Sequence, residues 1–194
     1  QWLMSFWIKP SLLLLIPVAG FAETFKALEA ALLNPDSVIH LELRKDKLTA
    51  IPESISQFKN LEILDLGKNK LDSIPVFILE LKHLKELNLS KNNFTKIPRV
   101  LAQLDSLTIL KMAKNPVEKV PYYISDFEKL EFLDLWNSSV AEVDPAIKQN
   151  KNLLKLDLRN TYLRTSDLEW LVIARPDMEV FSSYGCDCDK SYYL

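Results

Sequence analysis

The stretch LEILDLGKNKLDSIP, Leu61 to Pro75, begins by alternating apolar and polar residues and then stops. Leu64 and Leu66 fall on one side, Ile63, Asp65 and Gly67 on the other, the period-two signature of a strand. Beyond Asn69 the spacing changes. Ile74, Ile78, Leu81 and Leu84 are four, three and three residues apart, which suits a helical turn or a 3₁₀ return. Pro75 opens that return, where a missing N–H removes a donor that has no partner anyway.

The pattern recurs without insertion. Leu64 has equivalents at Leu41, Leu87, Leu110, Leu133 and Leu156, each step being 23 residues. Two residues on from each comes Leu43, Leu66, Leu89, Met112, Leu135 or Leu158, and three before each comes Val38, Leu61, Leu84, Leu107, Leu130 or Leu153. The pairs Ile51-Pro52, Ile74-Pro75, Ile97-Pro98 and Val120-Pro121 keep the same period. One such unit cannot bury its own leucines. Stacked units share a continuous core, so the spacing predicts a solenoid of six units. Asn69 recurs as Asn92 and Asn115, where the chain turns beside the core. A buried amide there needs hydrogen-bond partners, the nearest being backbone groups of its own and the adjoining unit. Asp46, Ser138 and Thr161 occupy the same place in the outer units and do part of that work.

LKELNLSKNNFTKIPRVLAQL, Leu84 to Leu104, resembles the leucine-rich repeat family in its 23-residue form, and the likeness runs from Val38 to about Leu171. The resemblance implies an α/β solenoid with a curved parallel β-sheet on the concave side, short helical or 3₁₀ returns and an N-terminal capping helix. It also implies a non-enzymatic module that binds a protein or peptide through the concave face. ETFKALEAALLNPDSVIHLEL further resembles small exported bacterial proteins of this family.

Four regions are expected. Residues 1–22 read as a signal peptide: Leu12 to Ile16 is an apolar run behind Lys9, and Gly20 and Ala22 precede Glu23. Pro10 and Pro17 break that run, which is too short to span a membrane, and Met4 stands as an alternative start. Residues 23–37 form the N-terminal cap, with Glu23 to Leu33 as an amphipathic helix. The repeats occupy 38–171 and the C-terminal cap and tail 172–194. Ser166 with Glu169 makes a capping-box pattern before a helix that Pro176 stops, and MEVFSS, Met178 to Ser183, reads as a last strand off the 23-residue register. The expected location is exported, with a cytoplasmic scaffold or signalling regulator as the alternative.

Composition excludes several classes. The chain of 194 residues is 48% hydrophobic with a net charge of −2, so it has material for a core and no basic surplus for nucleic acid. Its three glycines, Gly20, Gly67 and Gly185, cannot make a phosphate loop. His40 and His83 lie in different units and make no catalytic pairing. Glu42, Asp65, Asp134 and Asp157 share one outward strand position, a column read as a solvated face. Asn88 and Lys111 interrupt it, which weakens an acid–base pair. Cys186 and Cys188 are too close in sequence for a relaxed disulfide and too few for a metal site; they read as exposed tail thiols. No catalytic residue, cofactor or metal is expected. A metal-binding or enzymatic protein built on the cysteines or the acidic column is the remaining alternative.

The concave face is the better place for function. Phe132 and Trp136 share one strand and one face, Ile109 lies one strand over, and Lys111, Asp134 and Arg159 ring them. An exposed aromatic pair inside a polar rim has the make-up of an interface hot spot. With strands about 4.8 Å apart, six units span roughly 24 Å, enough for a peptide or a protein edge.

Overall fold

The computed structural model describes residues 24–183. The strands in chain order are β1 (Thr24–Phe25), β2 (His40–Glu42), β3 (Ile63–Asp65), β4 (Glu86–Asn88), β5 (Ile109–Lys111), β6 (Lys119–Val120), β7 (Phe132–Asp134), β8 (Glu142–Val143), β9 (Lys155–Leu158) and β10 (Glu179–Ser182). Eight of them form one all-parallel sheet in the order β1-β2-β3-β4-β5-β7-β9-β10, and β6 and β8 pair separately. The register follows the repeat: Leu41 lies beside Leu64, then Leu87, Leu110, Leu133 and Leu156. All six of these leucines are fully buried. A single file of identical side chains is what a 23-residue period produces when every unit contributes one strand.

The returns are 3₁₀ segments at Glu53–Gln57, Val76–Glu80, Arg99–Gln103, Tyr122–Asp126 and Pro145–Gln149. A proline in extended conformation precedes each of the first four. In the fifth, Asp144 takes that place and accepts the Ala146 N–H. Ile55, Ile78, Leu101, Ile124 and Ile147 point from these segments into the core with no exposure.

The ends differ from the sequence-based expectation in two ways, at the N-terminal helix and at Ser166, while the last strand is off the 23-residue register as expected. The helix expected over Glu23 to Leu33 is one turn, α1 (Leu28–Ala31), preceded by β1, which pairs with the free edge of β2. Ala27 stays extended at φ −138 and offers no side-chain cap, so the turn cannot start earlier. At the C-terminus, Ser166 does not cap α2 (Glu169–Ala174), because it lies inside a 3₁₀ turn at Thr165–Asp167. Asp167 instead accepts the Arg164 N–H at 2.8 Å. The last strand, β10, pairs residue by residue with β9, Val180 beside Leu156. That step is one residue longer than the repeat.

The turn asparagines are buried and fully engaged. Asn69 donates to the carbonyls of Leu43 and Leu66 and accepts from Leu48 N–H. Asn92 serves Leu66, Leu89 and Leu71 in the same way, and Asn115 serves Leu89, Met112 and Phe94. Each amide thus ties its own unit to the one before it. Thr161 donates to the Leu158 carbonyl at the same station.

Candidate functional site

β5, β7 and β9 bring the six expected site residues onto neighbouring strands of one face. Ile109 pairs in register with Phe132, and Lys111 with Asp134. Trp136 and Arg159 follow the ends of their strands at the same level, since Asn137 N–H bonds the Arg159 carbonyl. Ile109 and Phe132 are half-buried. Trp136 is 37% exposed, the most open large apolar side chain of the three. The Lys114 ammonium lies 4.5 Å from the centre of its ring, a cation–π contact that sequence reasoning missed. Lys114 has no counterpart in the strand alternation, because it sits on the turn beyond β5.

The face is laced by its own ion pairs. Arg44 meets Asp65 at 3.0 Å, Lys111 meets Glu86 at 2.5 Å, and Lys155 meets Glu179 at 3.4 Å. Arg159 grips Asp157 with Nε and Nη2, and its guanidinium stands 5.5 Å from the Phe181 ring. The acidic column is therefore not a solvated face: Asp65 and Asp157 are buried. The reason is local. Asp65, Asn88, Asp134 and Asp157 each accept the backbone N–H two residues on, from Gly67, Ser90, Trp136 and Arg159 respectively. A short acceptor there satisfies the backbone where the strand ends, so the position has a structural use and the carboxylates are not arranged for proton transfer. Gly67 fits beside this network because a Cβ there would meet Asp65 Oδ1 at 3.0 Å.

Asp134 stands apart from the other carboxylates of the face. Burial pushes its carboxyl above the ordinary value; the bond from Trp136 N–H pulls the other way, and the charge of Asp157 raises it further. His40 and Glu42 approach to 3.8 Å at the far end of the sheet. His83 is exposed on a return. Among the described residues no group of three or more His, Cys, Asp or Glu side chains is placed to hold a metal ion. Cys186 and Cys188 lie outside the described residues, as does the stretch read as a signal peptide. No described helix is long and apolar enough to cross a membrane.

This geometry defines a class, a parallel-sheet solenoid presenting a mixed polar and aromatic face. A family profile described as leucine rich repeat matches residues 59–117. The matched stretch lies inside the repeats, and the described residues have a leucine-rich repeat fold. No curated protein matches it. Among solved structures, a leucine-rich repeat protein of Leptospira interrogans is 29% identical, with a TM-score of 0.61 over 74% of this chain and 35% of that one. Internalin C2 of Listeria monocytogenes is 21% identical, with a TM-score of 0.62 over 84% of this chain and 68% of that one. The plant peptide hormone receptor RGFR1, solved in complex with RGF2, is 20% identical, with a TM-score of 0.56 over 77% of this chain and 28% of that one. The last two likenesses are of fold alone. This chain spans about a third of the length of the Leptospira protein.

Proposed function

We propose that the chain is an exported, non-enzymatic module that binds a protein or peptide through its sheet face, with Trp136 and Phe132 as anchors. The observation that carries this reading is the exposure of Trp136 on a face whose charges are otherwise committed to one another. Committed pairs such as Asp157–Arg159, whose carboxylate is buried, offer little to a partner, whereas an open indole beside Phe132 and Ile109 offers apolar area to be desolvated. Lys111, Asp134 and Arg159 form the rim. A plant peptide hormone receptor has the same fold.

The test begins with a partner captured by the mature chain and identified, followed by titration against variants. The double change Trp136→Ala and Phe132→Ala weakens binding by at least about 2 kcal/mol, the usual hot-spot scale, and keeps a cooperative melt. Glu53→Ala with Glu80→Ala, on the returns, leaves affinity unchanged. A double aromatic variant that binds like the parent removes the anchors; one that unfolds makes them core residues. Export rests on the reading of residues 1–22. Intact mass of native protein is expected to place the N-terminus at Glu23, and a mass that retains Leu12 to Ile16 overturns it.

A further inference from the structure

Beside the sheet face runs a row of lysines that the aromatic site does not use. In the first four units the residue at one fixed station of the turn is Lys45, Lys68, Lys91 and Lys114, with φ of 64, 60, 58 and 57. This left-handed backbone favours glycine or asparagine over a long side chain. The last two units place Asn137 and Asn160 there, at φ 53 and 58. The row is set by the ladder itself: the N–H groups of the four lysines donate to the carbonyls of Gly67, Ser90, Ala113 and Trp136 in the next unit. Successive lysines therefore rise by one strand spacing, about 4.8 Å, and the four make a single file about 14 Å long.

The row lysines stand outside the ion pairs of the described residues. Lys59, Lys85, Lys111 and Lys155 each lie within ion-pair distance of a glutamate. None of the four row lysines has a carboxylate at that distance among the described residues. The ammonium groups of Lys45 and then Lys91 hold Lys68 below the ordinary lysine value, against a smaller opposing pull from Asp65. Exposed Lys47 and Lys70 add two more cations in the first two units. A chain of net charge −2 thus gathers unpaired positive charge in one line.

We propose that this lysine row is a docking track for an extended acidic segment, a run of Asp and Glu, in the protein partner. The shape of the charge selects that occupant. Exposed acids stand close to the track in sequence, Asp46 next to Lys45 and Asp72 four residues after Lys68. A narrow line of carboxylates fits such a track, whereas a duplex, which spreads phosphates over both its strands, meets the flanking acids. Its last member, Lys114, stands on the Trp136 ring, so the track leads into the aromatic patch. The proposal rests on the reading of this chain as a protein-binding module, but it does not require Trp136 and Phe132 to be the anchors.

The test uses the full chain and labelled octaglutamate, followed by fluorescence anisotropy at rising salt. The parent binds, and its affinity falls as salt screens the row. Lys45→Asn, Lys68→Asn, Lys91→Asn and Lys114→Asn together weaken binding roughly tenfold or more. Asparagine suits the left-handed station, so the variant melts at or above the parent, and Lys68→Asn with Lys91→Asn repeats the test with half the charge change. Lys59→Asn, Lys82→Asn, Lys129→Asn and Lys151→Asn carry the same change in net charge and leave affinity as it was. Equal loss in both fourfold variants, no binding by the parent, or tighter binding of oligothymidylate of equal charge overturns the proposal. Octaglutamate carries no aromatic or wholly apolar side chain, so the Trp136→Ala and Phe132→Ala variant keeps its affinity for this probe; failure of the aromatic reading and failure of the track are thereby separable.

Discussion

The interior units and the C-terminal end close one core with different chemistry. Around β4, Leu84, Leu87 and Leu89 are fully buried between like residues of the units before and after, and Asn92 ties two units together. Near the end, polar groups enter the core. Asn150 stands where Phe58, Leu81, Leu104 and Phe127 stand in earlier units; it donates to the carbonyls of Ile124 and Phe127 and accepts from Leu153 N–H. Arg175, 2% exposed, reaches from the end of α2 to donate to the carbonyls of Asn150 and Leu153. Asp177 clamps the same guanidinium at 2.7 Å, and that bond holds its carboxyl down to about 2. A repeat in the middle hands its turn to its successor. The last repeat has no successor of the same kind, so a cap side chain supplies the donors.

The comparison implies different failures. Leu87→Ala costs about 2–5 kcal/mol in urea denaturation, because lost burial and a cavity are felt from both sides. Arg175→Met keeps apolar volume but strips donors from two buried carbonyls, about 1–3 kcal/mol for each. Native-state hydrogen exchange separates the two. Leu87→Ala lowers protection throughout β3, β4 and β5, whereas Arg175→Met lowers it in β9, α2 and β10 and leaves β3 protected. Equal loss in β3 for both variants removes the distinction between interior and end.

Asn92→Ala is the next smaller lesion, about 1–3 kcal/mol, since it leaves the Leu71 N–H without its partner and removes one of the two amide donors that each of the Leu66 and Leu89 carbonyls receives. Its neighbour Lys91 is the natural control, but not as alanine, which is strained at φ 58. Lys91→Asn keeps the left-handed preference and stays within about 0.5 kcal/mol of the parent or gains slightly. Chemical denaturation that ranks the two equally contradicts the inward amide.

The interior was legible in the sequence because one period fixes everything there. Each Leu of the aligned column predicts the next, and Asn69, Asn92 and Asn115 have to face the core once the strand is placed. The candidate site was legible as positions: Ile109, Phe132 and Trp136 share a face as soon as the register is known. What escaped depends on contacts between units that no alternation encodes. The pairing of Thr24–Phe25 with β2 is decided by the free sheet edge, not by two residues of local preference. Arg175 looks like an ordinary surface cation until α2 folds back over Asn150. The column of Asp65, Asp134 and Asp157 reads as a wet face, although strand-end N–H groups draw each carboxylate inward. The lysine row carried a signal, the recurrence of Lys at the residue before each turn Asn. Its meaning required the backbone angle.

The smallest expected effect lies where the two regions meet. Ser138 takes the station of Asn69, Asn92 and Asn115 in the fifth unit, is buried, and its hydroxyl has no partner among the described residues. Asn92 and Asn115 each serve the carbonyls 26 and 3 residues back and the N–H 21 residues back. Those offsets carry Ser138→Asn to the carbonyls of Met112 and Leu135 and the N–H of Val117. The change is therefore expected to stabilise the chain by about 0.5–1.5 kcal/mol, the net worth of one ordinary hydrogen bond. Ser138→Ala, which only removes the unpaired hydroxyl, is expected to be near neutral or slightly stabilising. The two midpoints in urea, measured against the parent, decide the matter. If Ser138→Asn falls below Ser138→Ala, the fifth unit lacks room for the amide, and the polar end begins at Ser138, ahead of Asn150 in the same unit.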